Sequence, residues 1–361
     1  MLPILFTLTL PAGLGAPIAW ATFFALVVLR AVGYLRRARG EGQRAGLPSA
    51  LGADWLFIGV VGLALVLAGR SGLLAGEVRL PLHTYGLLVA SAFVVGVALA
   101  QREAKRRGQD PERIADLAFW VLIAGLVGSQ LYFIGVNWQS YFGPGAFWAD
   151  TGVGRLPRFL VFWETGLVFY GGFIGAALTA ALYMRRYRMP FLAHADTIIP
   201  SVAIGHFLGR LGCFSAGCCW GGPAHADLPW AVRFPPGSSA FQAFVPRGAE
   251  GQALLALGDA STIPLHPTQL YEAFGELGLF LLLALWLRPR KRFDGQVLAA
   301  WLLLYAVLRG TVELFRGDVE RGVWAGLGAG QWTSLLIFAV GVLVWVRAPK
   351  PAAVLAAAPA R

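Results

Sequence analysis

Nine apolar runs, each long enough for a helix to cross a lipid bilayer, constrain this chain more than any other feature. A spanning helix takes about 20 mostly apolar residues. Runs of that kind fall at roughly 14–35, 52–70, 83–101, 115–136, 162–184, 192–212, 269–287, 295–315 and 330–347. Of 361 residues, 57% are hydrophobic and only 14% charged, against about a quarter charged in soluble domains. The 46 glycines and 13 tryptophans suit helices that pack closely and anchor at the water interface. The expected fold is all-α: a polytopic integral membrane protein of about nine transmembrane helices with a small loop domain on its outer face. Met1 to Leu10 are apolar without a preceding basic region, so they read as a lead-in segment rather than a cleaved signal peptide.

A net charge of +11 raises the question of nucleic acid, and the placement of the charge answers it. Alternate connectors at 36–44, 102–113, 185–188, 288–292 and 347–361 hold 19 of the 30 basic residues. By the positive-inside rule these face the cytoplasm, the N-terminus lies outside and the C-terminus inside. The charge orients the chain and touches anionic lipid; no nucleic-acid partner is expected. Residues 213–268, rich in proline, glycine and serine, then form the one long polar excursion on the outer side, made of turns and short strands. The Ala/Pro-rich tail 348–361 reads as disordered.

Charges inside apolar runs mark sites by default, because they are costly there. Arg210 lies one helical turn after His206, just before a glycine-punctuated turn that holds all three cysteines, Cys213, Cys218 and Cys219. Arg309, Glu313 and Arg316 are spaced i, i+4, i+7, which places them on one helical face. An Arg–Glu pair lowers the cost of burying either charge and leaves guanidinium donors to grip a phosphate bidentately. A head-group site is the favoured reading, and a structural ion pair is the rival. The thiols admit packing, redox pairing, metal ligation or thiolate chemistry. Their spacing lacks the usual C-x2-C, so no metal and no cofactor is expected. Tyr170, Gly171 and Gly172 open the fifth run, either as close helix packing or as a break that points a phenol into the bundle. In His266-Pro267-Thr268-Gln269-Leu270-Tyr271-Glu272, Thr268 reads as a helix N-cap with Glu272 near the first turn. Tyr85 opens the third run at the same level.

Together these stretches resemble the prolipoprotein diacylglyceryl transferase family. The likeness runs in order through Tyr85-Gly86-Leu87, Tyr170-Gly171-Gly172-Phe173-Ile174-Gly175, Gly209-Arg210-Leu211-Gly212, the His266–Glu272 stretch, Arg309 to Arg316 and Gly330-Gln331. It implies a seven-helix core over 81–347, preceded by two additional helices in 1–80. It also implies transfer of a diacylglyceryl group from phosphatidylglycerol to the lipobox cysteine of a prolipoprotein, with glycerol phosphate leaving, at the outer face of a bacterial inner membrane. On this resemblance Arg210, Arg309, Glu313, Tyr170 and Cys213 are the candidate catalytic residues. Substrate binding falls to Arg210, Arg309, Arg316, Tyr85, Gly171, Gly172, Gln269 and Tyr271. The chain departs from the family pattern at four places: Tyr170 stands for a histidine, Cys213 for an asparagine, Cys218 for a glutamate and Gln130 for an arginine. Two rivals therefore stay open: a divergent paralogue that uses the three cysteines with another acceptor, and a lipid-binding or thiol-redox membrane protein without transfer chemistry.

Overall fold

The structure, a computed structural model, describes residues 4–10, 78–151, 154–160, 168–225, 227–244, 261–317 and 323–348. The first two expected spans and the expected disordered tail after Ala348 lie outside the described residues. Seven long helices follow: α1 (Thr84–Arg106), α2 (Pro111–Val136), α3 (Phe169–Arg186), α4 (Phe191–Ala216), α5 (Thr268–Arg290), α6 (Gln296–Glu313) and α7 (Ala329–Arg347). All but α3 are long and apolar enough to cross a membrane. The described part of α3 opens beside residues outside the description and closes on Arg185 and Arg186. Helix α5 is α-helical to Leu281, then passes through a π turn, Leu282–Leu287, and a 3-10 turn, Arg288–Arg290. Ile4–Leu10 forms a strand paired with Val78–His83.

The chain divides into two compact units, each described by itself. One comprises residues 1–5, 83–128 and 172–361; the other comprises 6–82 and 129–171. In the second, the hydroxyl of Ser129 donates to the Val168 carbonyl at 2.9 Å. A hairpin pairs Trp148–Thr151 with Gly154–Pro157. Phe142, Phe147 and Phe159 cluster with centroids 6.0–6.4 Å apart, the kind of aromatic group that settles at a membrane interface.

Burial in the first unit runs opposite to that of a soluble protein. Leu285, Leu336 and Val346 are about two-thirds exposed, while Asp196, Glu272 and Glu276 are fully buried. Lipid solvates apolar side chains, so the outside of the bundle carries them and the ionisable groups turn inward. Small residues set the helix spacing. Helices α1 and α4 run antiparallel in close contact: Gly96 meets the Ser201 carbonyl, Gly205 the Ala92 carbonyl, and Gly212 the Tyr85 ring. On α2 and α3, Gly125 faces the Gly172 carbonyl and Gly175 sits against the Ala124 carbonyl, so Gly175 serves close packing.

One end of the unit gathers the basic connectors. Arg288 pairs with Glu103 at 3.2 Å, and Gln109 accepts a hydrogen bond from Thr197 at 2.8 Å. Asp196 of α4 accepts from Lys291 Nζ at 3.0 Å and from the backbone N–H groups of Gly295 and Leu298 at 2.9 Å each. It therefore satisfies the open N-terminus of α6.

The opposite end carries the polar excursion. Its described residues, 217–225, 227–244 and 261–267, are turns and short bridges with a short helix, Ser239–Phe244. Isolated antiparallel bridges tie Gly221 to Arg316, and Leu265 to both Pro223 and Val232. They close over Phe234, Ala240 and Leu265, which are fully buried.

Candidate functional site

Three helices carry polar side chains at four-residue spacing, and the matched spacing stacks them into a ladder. Helix α4 supplies His206 and Arg210, α5 supplies Glu272 and Glu276, and α6 supplies Trp301, Tyr305, Arg309 and Glu313. His206 Nδ1 lies 2.7 Å from Glu276 Oε1, and Trp301 Nε1 donates to the other oxygen of Glu276 at 3.3 Å. One turn along, Arg210 Nη2 donates to Glu272 Oε1 at 2.8 Å, and the Tyr305 hydroxyl donates to the same oxygen at 3.4 Å. The two rungs are joined, because Arg210 Nε donates to His206 Nε2 at 3.2 Å. An accepting Nε2 carries no proton, so the imidazole is the Nδ1–H tautomer and gives that proton to Glu276. The Trp301 and Tyr305 rings stack at 5.1 Å and wall one side.

A third rung closes the ladder toward the loop end. Arg309 and Glu313 form an ion pair within α6, both about nine-tenths buried. Glu313 Oε1 also accepts the backbone N–H of Gly330 at 3.2 Å. Gly330 lies in the first turn of α7, where the partial positive charge of a helix N-terminus favours a carboxylate. A Cβ at Gly330 would run into that carboxylate, so any larger residue would make the Glu313 side chain shift.

Several expectations change here. Helix α6 ends at Glu313, and the chain turns through Leu314 and Phe315. Arg316 therefore does not continue the Arg309–Glu313 face; it sits in the bridge to Gly221. Thr268 is not an N-cap: Pro267 holds that position, and the Thr268 hydroxyl donates to the Cys219 carbonyl at 3.0 Å. Glu272 does not serve the helix terminus, since it is fully buried against Arg210. Glycine at 209 has no neighbour close enough to require it, unlike Gly212 against Tyr85.

The turn after α4 explains why the three cysteines meet. Gly217 adopts φ +64°, and the N–H groups of Gly217 and Cys218 bond back to the carbonyls of Phe214 and Cys213, both at 3.1 Å. This is a Schellman cap, the usual way a helix ends on a left-handed glycine. It folds Cys218 onto Cys213, and the three sulfurs lie within 4.8 Å of one another, each half-buried. Helix α5 grips the same turn: Gln269 Nε2 donates to the Cys218 carbonyl at 2.7 Å. Tyr85, Arg210 and the thiols lie close enough to interact electrostatically. Hydrogen bonds from Cys213 and Cys218 hold the Cys219 thiol below its ordinary pKa, and Arg316 and Arg210 act in the same direction. Hydrogen bonding to Cys213 and Cys219 pushes the Cys218 thiol up.

Of the remaining residues, Tyr271 receives a hydrogen bond from Trp230 at 2.9 Å and lies 3.1 Å from His266 Nδ1. Tyr170 is half-exposed, edge-on to Phe169, and belongs with Gly171 to the other unit. The arrangement thus unites His206, Arg210, Arg309, Glu313, Tyr85, Gln269 and the thiols with Glu272, Glu276, Trp301 and Tyr305, none of the last four expected as site residues. The signal was present: Glu272 and Glu276 are two carboxylates at i, i+4 at the start of an apolar run.

A family model described as prolipoprotein diacylglyceryl transferase matches residues 74–347. Similar proteins named phosphatidylglycerol–prolipoprotein diacylglyceryl transferase include that of Thermosynechococcus vestitus, 31% identical over 72% of this chain and 86% of its own length. The one from Methylibium petroleiphilum is 33% identical over 76% of this chain and 94% of its own. That from Clostridium tetani is 30% identical over 74% and 93%. A family match over residues 74–347, the stretch that holds all seven helices, means that this chain belongs to the prolipoprotein diacylglyceryl transferase family.

Proposed function

We propose that the chain transfers a diacylglyceryl group from phosphatidylglycerol to the lipobox cysteine thiol of a prolipoprotein. The observation that carries this reading is the pair of arginines, Arg210 and Arg309, each fixed by a buried carboxylate within an apolar bundle. In the reaction the acceptor sulfur bonds to the glyceryl carbon next to the phosphate as the carbon–oxygen bond breaks. The electron pair leaves with glycerol phosphate, and the thiol proton passes to solvent. Charge on the phosphate grows as this happens, and preorganised cations stabilise it most where water is excluded. Arg210 commits two of its five N–H donors to His206 and Glu272, which orients the rest of the fork for a phosphate. Glu313 and the N-terminus of α7 orient Arg309 in the same way. Positive potential beside these guanidiniums also favours the thiolate form of the incoming cysteine.

Glu272 Oε2 is buried without a hydrogen-bond partner. In this reading it accepts from a hydroxyl of the glycerol head group, and Arg316 guides that head group at the rim. The loop end that holds residues 213–268 faces the outer side of a bacterial inner membrane, and the basic connectors face the cytoplasm.

The test is mass spectrometry of a lipobox peptide incubated with the purified protein and phosphatidylglycerol vesicles. A diacylglyceryl adduct on the peptide cysteine with stoichiometric glycerol phosphate is expected. Lipid binding without any adduct, while a relative's enzyme succeeds alongside, would remove the transfer reading. A second measurement concerns positioning. Gly330→Ala pushes a methyl group into the Glu313 carboxylate and shifts Arg309. The variant should stay folded but transfer about 100-fold more slowly, the usual cost of an ångström's misplacement. Wild-type turnover in Gly330→Ala would show that Arg309 needs no support from α7.

A further inference from the structure

We propose that Cys213, Cys218 and Cys219 form a three-thiolate site for one soft, thiophilic d10 metal ion, copper(I) or zinc(II). Residue spacing argued against a metal, because C-x4-C-C is not a familiar ligand pattern. The fold removes that objection. The Schellman turn at Gly217 reverses the chain, and the next bond but one, at Cys219, is left-handed again at φ +60°. A non-glycine residue is rarely held there unless its surroundings enforce it. Here Gln269 and Thr268 pin the carbonyls of Cys218 and Cys219 from α5, fixing the turn from outside. As a result the three sulfurs converge to within 4.8 Å of one another.

That spacing is close to what a metal needs. Metal–sulfur bonds of about 2.3 Å put the sulfurs of a three-thiolate site about 4 Å apart, so rotamer adjustment alone closes the ring. Thiolates select soft ions over hard ones. Three thiolates give the bound ion a net negative charge. Arg210 and Arg316, both within electrostatic reach of Cys219, balance it without competing as ligands. Binding releases the thiol protons to solvent and requires no oxidant. Copper(I) fits a three-coordinate site; zinc(II) takes water as a fourth ligand.

The experiment uses the full chain in detergent, reduced with a phosphine under argon. Cadmium(II) serves as the optical probe for thiolate ligation, and copper(I) is titrated against a chromophoric chelator. One equivalent of cadmium should develop the sulfur-to-metal charge-transfer band, and copper(I) should be withdrawn from the chelator with the same stoichiometry. Changing any one cysteine to serine should weaken binding by about 100-fold or more, beyond the loss typical of an outer-shell change. Should those variants fail to fold, alkylation of the native wild-type protein decides. All three cysteines should lose reactivity together on addition of one equivalent of metal, counted by peptide mass spectrometry. Unchanged alkylation rates with no charge-transfer band would overturn the proposal. So would a disulfide from Cys213 to either neighbour that persists in the reductant. Neither readout depends on turnover, so the site is tested apart from the transfer reaction.

Discussion

Arg210→Ala is expected to lower the rate of diacylglyceryl transfer by about 100- to 1,000-fold, the range seen when one preorganised donor to a developing anion is removed. The effect should fall on kcat more than on KM, because charge accumulates on the phosphate only as the carbon–oxygen bond breaks. Folding should weaken as well, because the fully buried Glu272 loses its cation, so the rate is read per folded protein. Arg210→Lys should recover little. A single ammonium cannot reach His206 and Glu272 together and still present a planar fork to a phosphate. Steady-state kinetics on the lipobox peptide check this, and wild-type kcat in either variant would take Arg210 out of the phosphate site.

The second large effect is expected at Glu272, and it differs in kind. Glu272→Ala leaves the Arg210 guanidinium largely buried without its carboxylate, at a cost of about 3–5 kcal/mol. The unfolding midpoint in detergent should drop clearly, and activity should fall with it. Glu272→Gln keeps an acceptor for Arg210 and for Tyr305 but loses the charge, so it should fold better than Glu272→Ala while remaining slow. Equal stability in all three proteins would mean that water or another group already compensates Arg210.

Much of this site could be read in the sequence because bilayer physics makes polar residues conspicuous. Arg210 and Arg309 stood out against apolar neighbours, and the Arg309–Glu313 spacing announced its own ion pair. Among the described residues, six of the expected spans match a helix to within a few residues, and the span expected at 162–184 overlaps Phe169–Arg186. What stayed hidden is whatever depends on two segments distant in the chain. Glu272 read as a capping residue because its partner lies 62 positions away on α4. Tyr305 and Trp301 lie in an apolar run with nothing local to mark them; the carboxylates they meet are on α5. The end of α6 was misjudged for a local reason. Nothing between Glu313 and Arg316 is a strong helix breaker, so the i, i+7 face seemed to continue; the bridge to Gly221 ends it instead.

Asp196 has a mechanical consequence. Its carboxylate reaches from α4 to two backbone N–H groups at the start of α6 and to Lys291 in the connector before it. Axial sliding of one helix past the other would strip three hydrogen bonds from a fully buried charge. The two helices that carry Arg210 and Arg309 are thus pinned like the legs of a caliper at its pivot. Their separation at the loop end is gauged from the far side of the bundle. On the proposed function, traffic of a two-chain lipid would then be accommodated by elements other than this pair, leaving the spacing of the two guanidiniums the same for every turnover.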